Sequence, residues 1–242
     1  MSLPGTGDSL RIGDLEIEVA VSPRRRTVRL TIERDARVVA AVPPGLPREQ
    51  LESMLRARTD WIYGKLEARE AAAAARPLKE FVSGEGFCYL GRSYRLKVVD
   101  DSPASVALVH GRLLLRRDRV DRAEDDLIAW YRARGQAWLP SRAAPWAERM
   151  RAPLSEITVR RLGYRWGSCS SKGAVNIHWA TMQLPIALID YILVHELAHL
   201  HESGHAPAFW RVVGRAMPDF VPRRAELERY GAQLWLPEGH RP

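Results

Sequence analysis

The sequence predicts an α+β fold: a β-rich N-terminal domain with one long helix over residues 1–120, then a largely helical domain over residues 121–242. Three observations carry this. Apolar and polar residues alternate through residues 10–42 and again through 81–118, the period of half-buried strands. Helical spacing dominates after residue 123. Within that second half, the run His195-Glu196-Leu197-Ala198-His199 sits in an apolar helical frame and concentrates the polar chemistry of the chain.

In the first half, Leu15, Ile17 and Val19, then Val28, Leu30 and Ile32, then Val38, Ala40 and Val42 predict three short strands, the last ended by Pro43-Pro44-Gly45. Leu51, Met54, Leu55, Trp61, Ile62 and Leu66 predict one helix over residues 47–75, ending in an alanine run and closed by Arg76-Pro77. Residues 87–90, 94–99, 106–109 and 113–115 return to strands, with Gly91-Arg92 and His110-Gly111 as turn signals. This half holds no cluster of His, Asp or Glu that suggests chemistry of its own, and no internal repeat is visible.

Residues 123–150 predict a helix kinked or split at Pro140, with Trp130, Tyr131, Trp138 and Trp146 as core residues. Residues 157–162 and 174–179 predict strands on either side of the stretch from Gly163 to Gly173. Pro185 suits the first turn of the next helix, whose apolar face is Ile189, Ile192, Leu193, Leu197 and Leu200. Ser203-Gly204 reads as its stop, with Gly204 free to adopt the left-handed conformation. Residues 208–216 and a last helix near 222–234 complete the chain.

Two histidines four residues apart on a helix lie about 40° apart around its axis, so His195 and His199 reach one metal ion. Glu196 leans over the open side of that metal, where it accepts a proton from bound water. Catalytic zinc takes three protein ligands plus water, and His205, presented after the helix turns back, is the best third candidate. His201 points to the opposite side of the helix and reads as solvated. Glu202 shares the histidine face and reads as a supporting or helix-end residue rather than a ligand.

The 242 residues suffice for a sizeable core, and 46% hydrophobic content fits a globular chain. No segment reaches the ~18 uninterrupted apolar residues of a membrane span, and residues 1–8 lack the pattern of a secretory signal, so a cytoplasmic protein is expected. Cys88 and Cys169 are expected as free thiols, with Cys169 a small buried residue rather than a nucleophile or ligand. The net charge of +8 admits polyanionic partners. However, only four of the 37 basic residues are lysine and the arginines are scattered without interleaved aromatics, so nucleic acid is not favoured as the main ligand.

The chain resembles the YgjP-like metal-dependent hydrolases, a zincin-type family of metallopeptidases. The resemblance is carried by Arg165-Trp166-Gly167-Ser168-Cys169-Ser170, which is similar to that family's Trp-Gly-Ser-Cys signature, and by Ile189-Asp190-Tyr191 with His195 to Leu200. Glu202, His205, Phe209-Trp210 and Pro218-Asp219 follow at the family's spacing, and Trp61-Ile62 and Leu90-Gly91 extend the likeness to nearly the whole chain. Ser203-Gly204 and Ile177-His178 depart from it. The resemblance implies a minimal zincin core behind the β-rich domain, one zinc per chain on His195, His199 and His205, and Glu196 as general base. Related in pattern are the SprT-like and Wss-like proteases, which act on DNA-bound proteins.

The expected activity is zinc-dependent hydrolysis of a peptide or protein. The oxyanion would rest on zinc and one further donor, for which Tyr164, Arg165, His178 and Tyr230 are the candidates. Two other readings compete. A UTP pyrophosphohydrolase lacks a phosphate-cradling loop and an acidic cluster for magnesium. A zinc-stabilised, DNA-associated binding module would want four protein ligands and no spare glutamate.

Overall fold

A computed structural model describes residues 9–23, 25–32, 37–74, 79–162 and 165–237. The chain divides into two compact units between Ala75 and Arg76. The units part there rather than at residue 120, because Phe87, Tyr89, Leu96, Leu113 and Leu115 share one core with the helices that follow.

The first unit opens with β1 (Ser9–Ile12), β2 (Leu15–Val21), β3 (Arg29–Ile32) and β4 (Val38–Val42), in the sheet order β1-β2-β4-β3. Four strands stand where alternation predicts three. The extra one, β1, buries only Leu10 and Ile12, too short a pattern for periodicity to register. β2 and β4 pair in parallel, with Ile17 opposite Val38 and Val19 opposite Ala40, so their buried faces coincide. Helices α1 (Arg48–Arg56) and α2 (Thr59–Ala74) follow, and Leu51, Leu55 and Ile62 close this core. The single helix expected over 47–75 is therefore two. Thr59 turns its hydroxyl onto the Leu55 carbonyl, which lies 3.3 Å away, and the chain steps between the helices at Ala57 and Arg58. The expected closure at Arg76-Pro77 lies outside the described residues.

The second unit begins with β5 (Gly86–Tyr89), β6 (Arg92–Val99), β7 (Val106–Val109) and β8 (Arg112–Arg116). Their order, β5-β6-β8-β7, and their senses, antiparallel, parallel and antiparallel, repeat those of the first sheet. This is the internal repeat that the residues alone do not display: strand order is conserved while side-chain identity is not. Both hairpin turns of the second sheet take positive φ at two successive residues, Leu90-Gly91 and His110-Gly111, the geometry that matches strand twist.

A 3-10 turn (Arg117–Arg122) leads into α3 (Ala123–Met150), which runs through Pro140 and Pro145 without the expected split. Leu127, Tyr131, Gly135, Leu139, Ala143 and Ala147 form one buried row at four-residue spacing, and packing along that row holds the helix where proline removes hydrogen bonds. Next come β9 (Glu156–Arg160), β10 (Gly167–Cys169) and β11 (Ala174–His178), ordered β10-β11-β9. The Gln136 amide of α3 donates to the Ile157 carbonyl and accepts from the Val159 N–H, satisfying one edge of this sheet.

A 3-10 segment (Trp179–Gln183) precedes α4 (Ile186–Ala198), then α5 (Pro207–Ala216) and α6 (Phe220–Gln233). Nearly every residue of α4 from Leu188 to Ala198 is buried. Of its two buried carboxylates, Asp190 is met by a two-point fork from Arg142 of α3 at 2.7 and 2.5 Å. The Leu90 N–H donates to the Met182 carbonyl at 2.8 Å, docking the β5–β6 turn just ahead of α4. There Gly91, at φ +78°, lies so near Pro185 that an added Cβ would fall 2.8 Å from its Cα.

Candidate metal centre

α4 ends one residue short of His199, whose N–H bonds the Glu196 carbonyl and tightens the last turn. The stop expected at Ser203-Gly204 thus comes earlier, and Gly204 is not among the glycines with positive φ. The His199 Nδ1 lies 3.2 Å from the Glu202 carbonyl. A carbonyl only accepts, so the proton sits on Nδ1 and the Nε2 lone pair is left for a cation. It is the backbone of Glu202, not its carboxylate, that supports the site.

His205 comes from the segment before α5, where the Trp210 indole N–H donates to its carbonyl at 3.1 Å. Its Nε2 stands 3.0 Å from Nε2 of His195. The ligand atoms of His195, His199 and His205 all lie within 4.8 Å of one another. Beneath them, the fully buried Phe209 ring has its centroid 4.9, 4.6 and 4.8 Å from the three imidazoles. One apolar ring thus spaces all three.

The donor set fits a divalent metal. Two imidazoles on one tetrahedral ion at ~2.0–2.1 Å would hold their nitrogens about 3.3 Å apart, close to the separation seen for His195 and His205. Burial first, and then the two neighbouring histidines and Arg224, push the His195 pKa down to about 3, so the ring is a neutral donor. Among the described residues its buried Nδ1 has no hydrogen-bond partner. Contacts with Tyr191, Phe209 and Trp210 orient the ring instead.

Glu196 is 6% exposed, and burial raises its carboxyl to about 8 against the opposing charge of Arg165. β10 passes directly over it: a Cβ at Gly167 would lie 2.6 Å from Cγ and 2.7 Å from Cδ and Oε1 of Glu196. Only glycine admits this approach. Cys169 follows in β10, its thiol pushed up to about 11 by burial and by Glu196, so it carries no thiolate at neutral pH. Cys169 and Cys88 are both free thiols.

Of the oxyanion candidates, Arg165 is exposed and its charge reaches Glu196. His178 is 1% exposed at the end of β11, where its Nδ1 accepts the Ala180 N–H. Tyr230 is 37% exposed on α6, next to Gly231, against which the Trp166 indole packs. Tyr164 lies outside the described residues. His201 is exposed and lines a separate cavity of about 320 Å³ with Arg149 and Arg215.

Four further residues shape the centre. Phe209 spaces the histidines, Gly167 admits the glutamate, Trp210 flanks His195 and His205 at 5.9 Å, and Tyr191 sets its ring 6.1 Å from that of His195. Tyr191 precedes His195 by four residues, so helical spacing could have found it. Nothing in the spacing points to Arg224, which reaches His195 electrostatically from α6.

The model of the YgjP-like metallopeptidase domain matches residues 26–230. The chain belongs to this family. It is accordingly a metal-dependent hydrolase of the metallopeptidase kind, and a divalent metal goes with that chemistry. The crystal structure of the metallopeptidase zymogen of Pyrococcus abyssi abylysin is 24% identical with a TM-score of 0.35, over 38% of this chain and 92% of that one. No curated protein matches the chain in sequence. Among the described residues, no helix is long and apolar enough to cross a membrane.

Proposed function

We propose that this YgjP-like chain is a zinc-dependent peptidase in which His195, His199 and His205 hold one metal ion and Glu196 is the general base. The observation that carries the reading is convergence: three imidazole nitrogens within 4.8 Å of one another, with a buried carboxylate on the residue after the first. An all-nitrogen set favours zinc over magnesium or calcium, which want oxygen ligands. Among the described residues the triad is the one group of three or more His, Cys, Asp or Glu side chains that could hold a metal ion.

When bound, the ion supplies Lewis-acid polarisation of the peptide carbonyl and a lowered pKa for water. Glu196 accepts the proton of the attacking water and hands it to the departing amine. Its carboxyl stands at about 8 through burial, and a dication held on the adjacent His195 would favour the charged form. Gly167 closes over the carboxylate and fixes its direction. The substrate is a peptide or protein segment, and the two free thiols suit a reducing compartment.

Elemental analysis of wild type and His205→Ala tests the reading. One zinc per chain in wild type, weakened or lost in the variant, is expected. Wild type that stays metal-free after zinc is supplied would overturn it.

A further inference from the structure

We infer that Arg224 is a catalytic residue of this chain, its guanidinium facing the oxygen that becomes anionic during hydrolysis, with the Tyr191 hydroxyl as the neighbouring donor. The inference rests on the peptidase reading and names the group that the oxyanion meets besides the metal.

Arg224 stands one indole away from the triad. Its Cζ lies 5.2 Å over the Trp210 ring, and that ring is 5.9 Å from both His195 and His205. The platform is fixed: Trp210 stacks on Phe220 at 5.5 Å and bonds the His205 carbonyl. A cation held by its face over an aromatic ring keeps the N–H donors along its edge available.

Those donors make no hydrogen bond within the described residues. The side chain is 55% exposed and forms a loose ion pair with Glu228, whose Oε1 lies 3.8 Å from Nε, beyond hydrogen-bond length. Two arginines nearby behave differently. Arg223, the preceding residue, bonds Asp219 and the Ala187 carbonyl at 2.8 and 2.9 Å, and Arg142 forks onto Asp190. Those two commit their donors to the protein, whereas Arg224 does not. Tyr191 offers a parallel case. Its ring is buried edge-on to His195, yet its hydroxyl has no hydrogen-bond partner among the described residues and is not one of the sealed polar atoms.

The reaction supplies the missing partner. As the oxygen of water adds to the carbonyl carbon, the π pair moves onto the carbonyl oxygen, and donors idle in the ground state gain a full anion in the transition state.

The test is steady-state hydrolysis of a peptide substrate, together with calorimetric binding of a peptidyl phosphonate, whose tetrahedral anion mimics that state. Wild type, Arg224→Gln, Arg224→Lys and Tyr191→Phe are compared, with metal content measured in each. Arg224→Gln should lower kcat by roughly 100-fold and phosphonate affinity by a similar factor, with KM within about twofold and metal content unchanged. Arg224→Lys should recover part of the loss, and Tyr191→Phe should lose about tenfold. Kinetics and phosphonate affinity of Arg224→Gln within twofold of wild type would overturn the inference, as would metal loss in that variant, which marks a supporting role. Metal-loaded wild type that neither cleaves peptides nor binds the phosphonate would sink the peptidase reading itself, before any variant is made.

Discussion

Gly167 and Glu196 approach so closely that no side chain fits between them: a Cβ on the strand residue would overlap the carboxylate at 2.7 Å. The strand therefore acts as a template for the glutamate, and the glycine of the Trp-Gly-Ser-Cys stretch is explained by what lies under it.

Replacing Gly167 with alanine should displace the carboxylate while leaving the triad intact. A loss of about 100-fold in kcat is expected, with zinc content unchanged, because a misplacement near 1 Å costs that much. Retained activity would mean that Glu196 has room to move.

Glu196→Gln should keep the metal and reduce hydrolysis by about 10²–10⁴-fold, the usual contribution of a positioned base. Wild-type rates in that variant would remove the base assignment.

The same substitution has a signature in the metal-free protein. The folded-state pKa of Glu196, about 8, lies above its ordinary value, so the fold prefers the protonated form. That preference is fully present below about pH 4.5 and is lost as pH rises through 8. Denaturant melts in chelator should show Glu196→Gln equal to wild type near pH 4.5 and more stable near pH 8.5, by an order of a few kcal/mol. His195, lowered to about 3, contributes the opposite slope on the acid side, equally in both proteins. Parallel profiles would show that Glu196 is hydrated.

Asp190→Ala removes the acceptor for both Arg142 contacts from a buried position on α4. A stability loss of about 2–3 kcal/mol is expected in urea unfolding, moderated because Arg142 remains partly exposed. A loss below half a kcal/mol would mean that water replaces the pair.

Much of this centre was legible in the residues. Four-residue spacing put His195 and His199 on one face, and the turn after the helix brought His205 back to them. What escaped lies on other elements or depends on backbone proximity. Arg224 belongs to α6, and its contact with Trp210 follows from how α5 and α6 pack, which no local period encodes. The role of Gly167 depends on a strand crossing a helix residue 29 positions later. The helix at Pro140 stayed whole because a buried row outweighed a local propensity. The division at residue 75 was hidden because both halves begin with the same strand order, so alternation marked sheets and not their owners.

The contact between Gly91 and Pro185 sets what can be inherited or excised as one piece. The β5–β6 turn rests on the residue that starts the histidine-bearing helix, so a fragment beginning at residue 121 would leave that helix start without its abutment and bare the core shared with the second sheet. A fragment from residue 76 onward should fold and melt cooperatively, and one from 121 onward should not. The smallest portable version of this candidate metal centre therefore carries a four-stranded sheet with it, and the hairpin tip is an unsuitable place for an affinity tag or a fused domain.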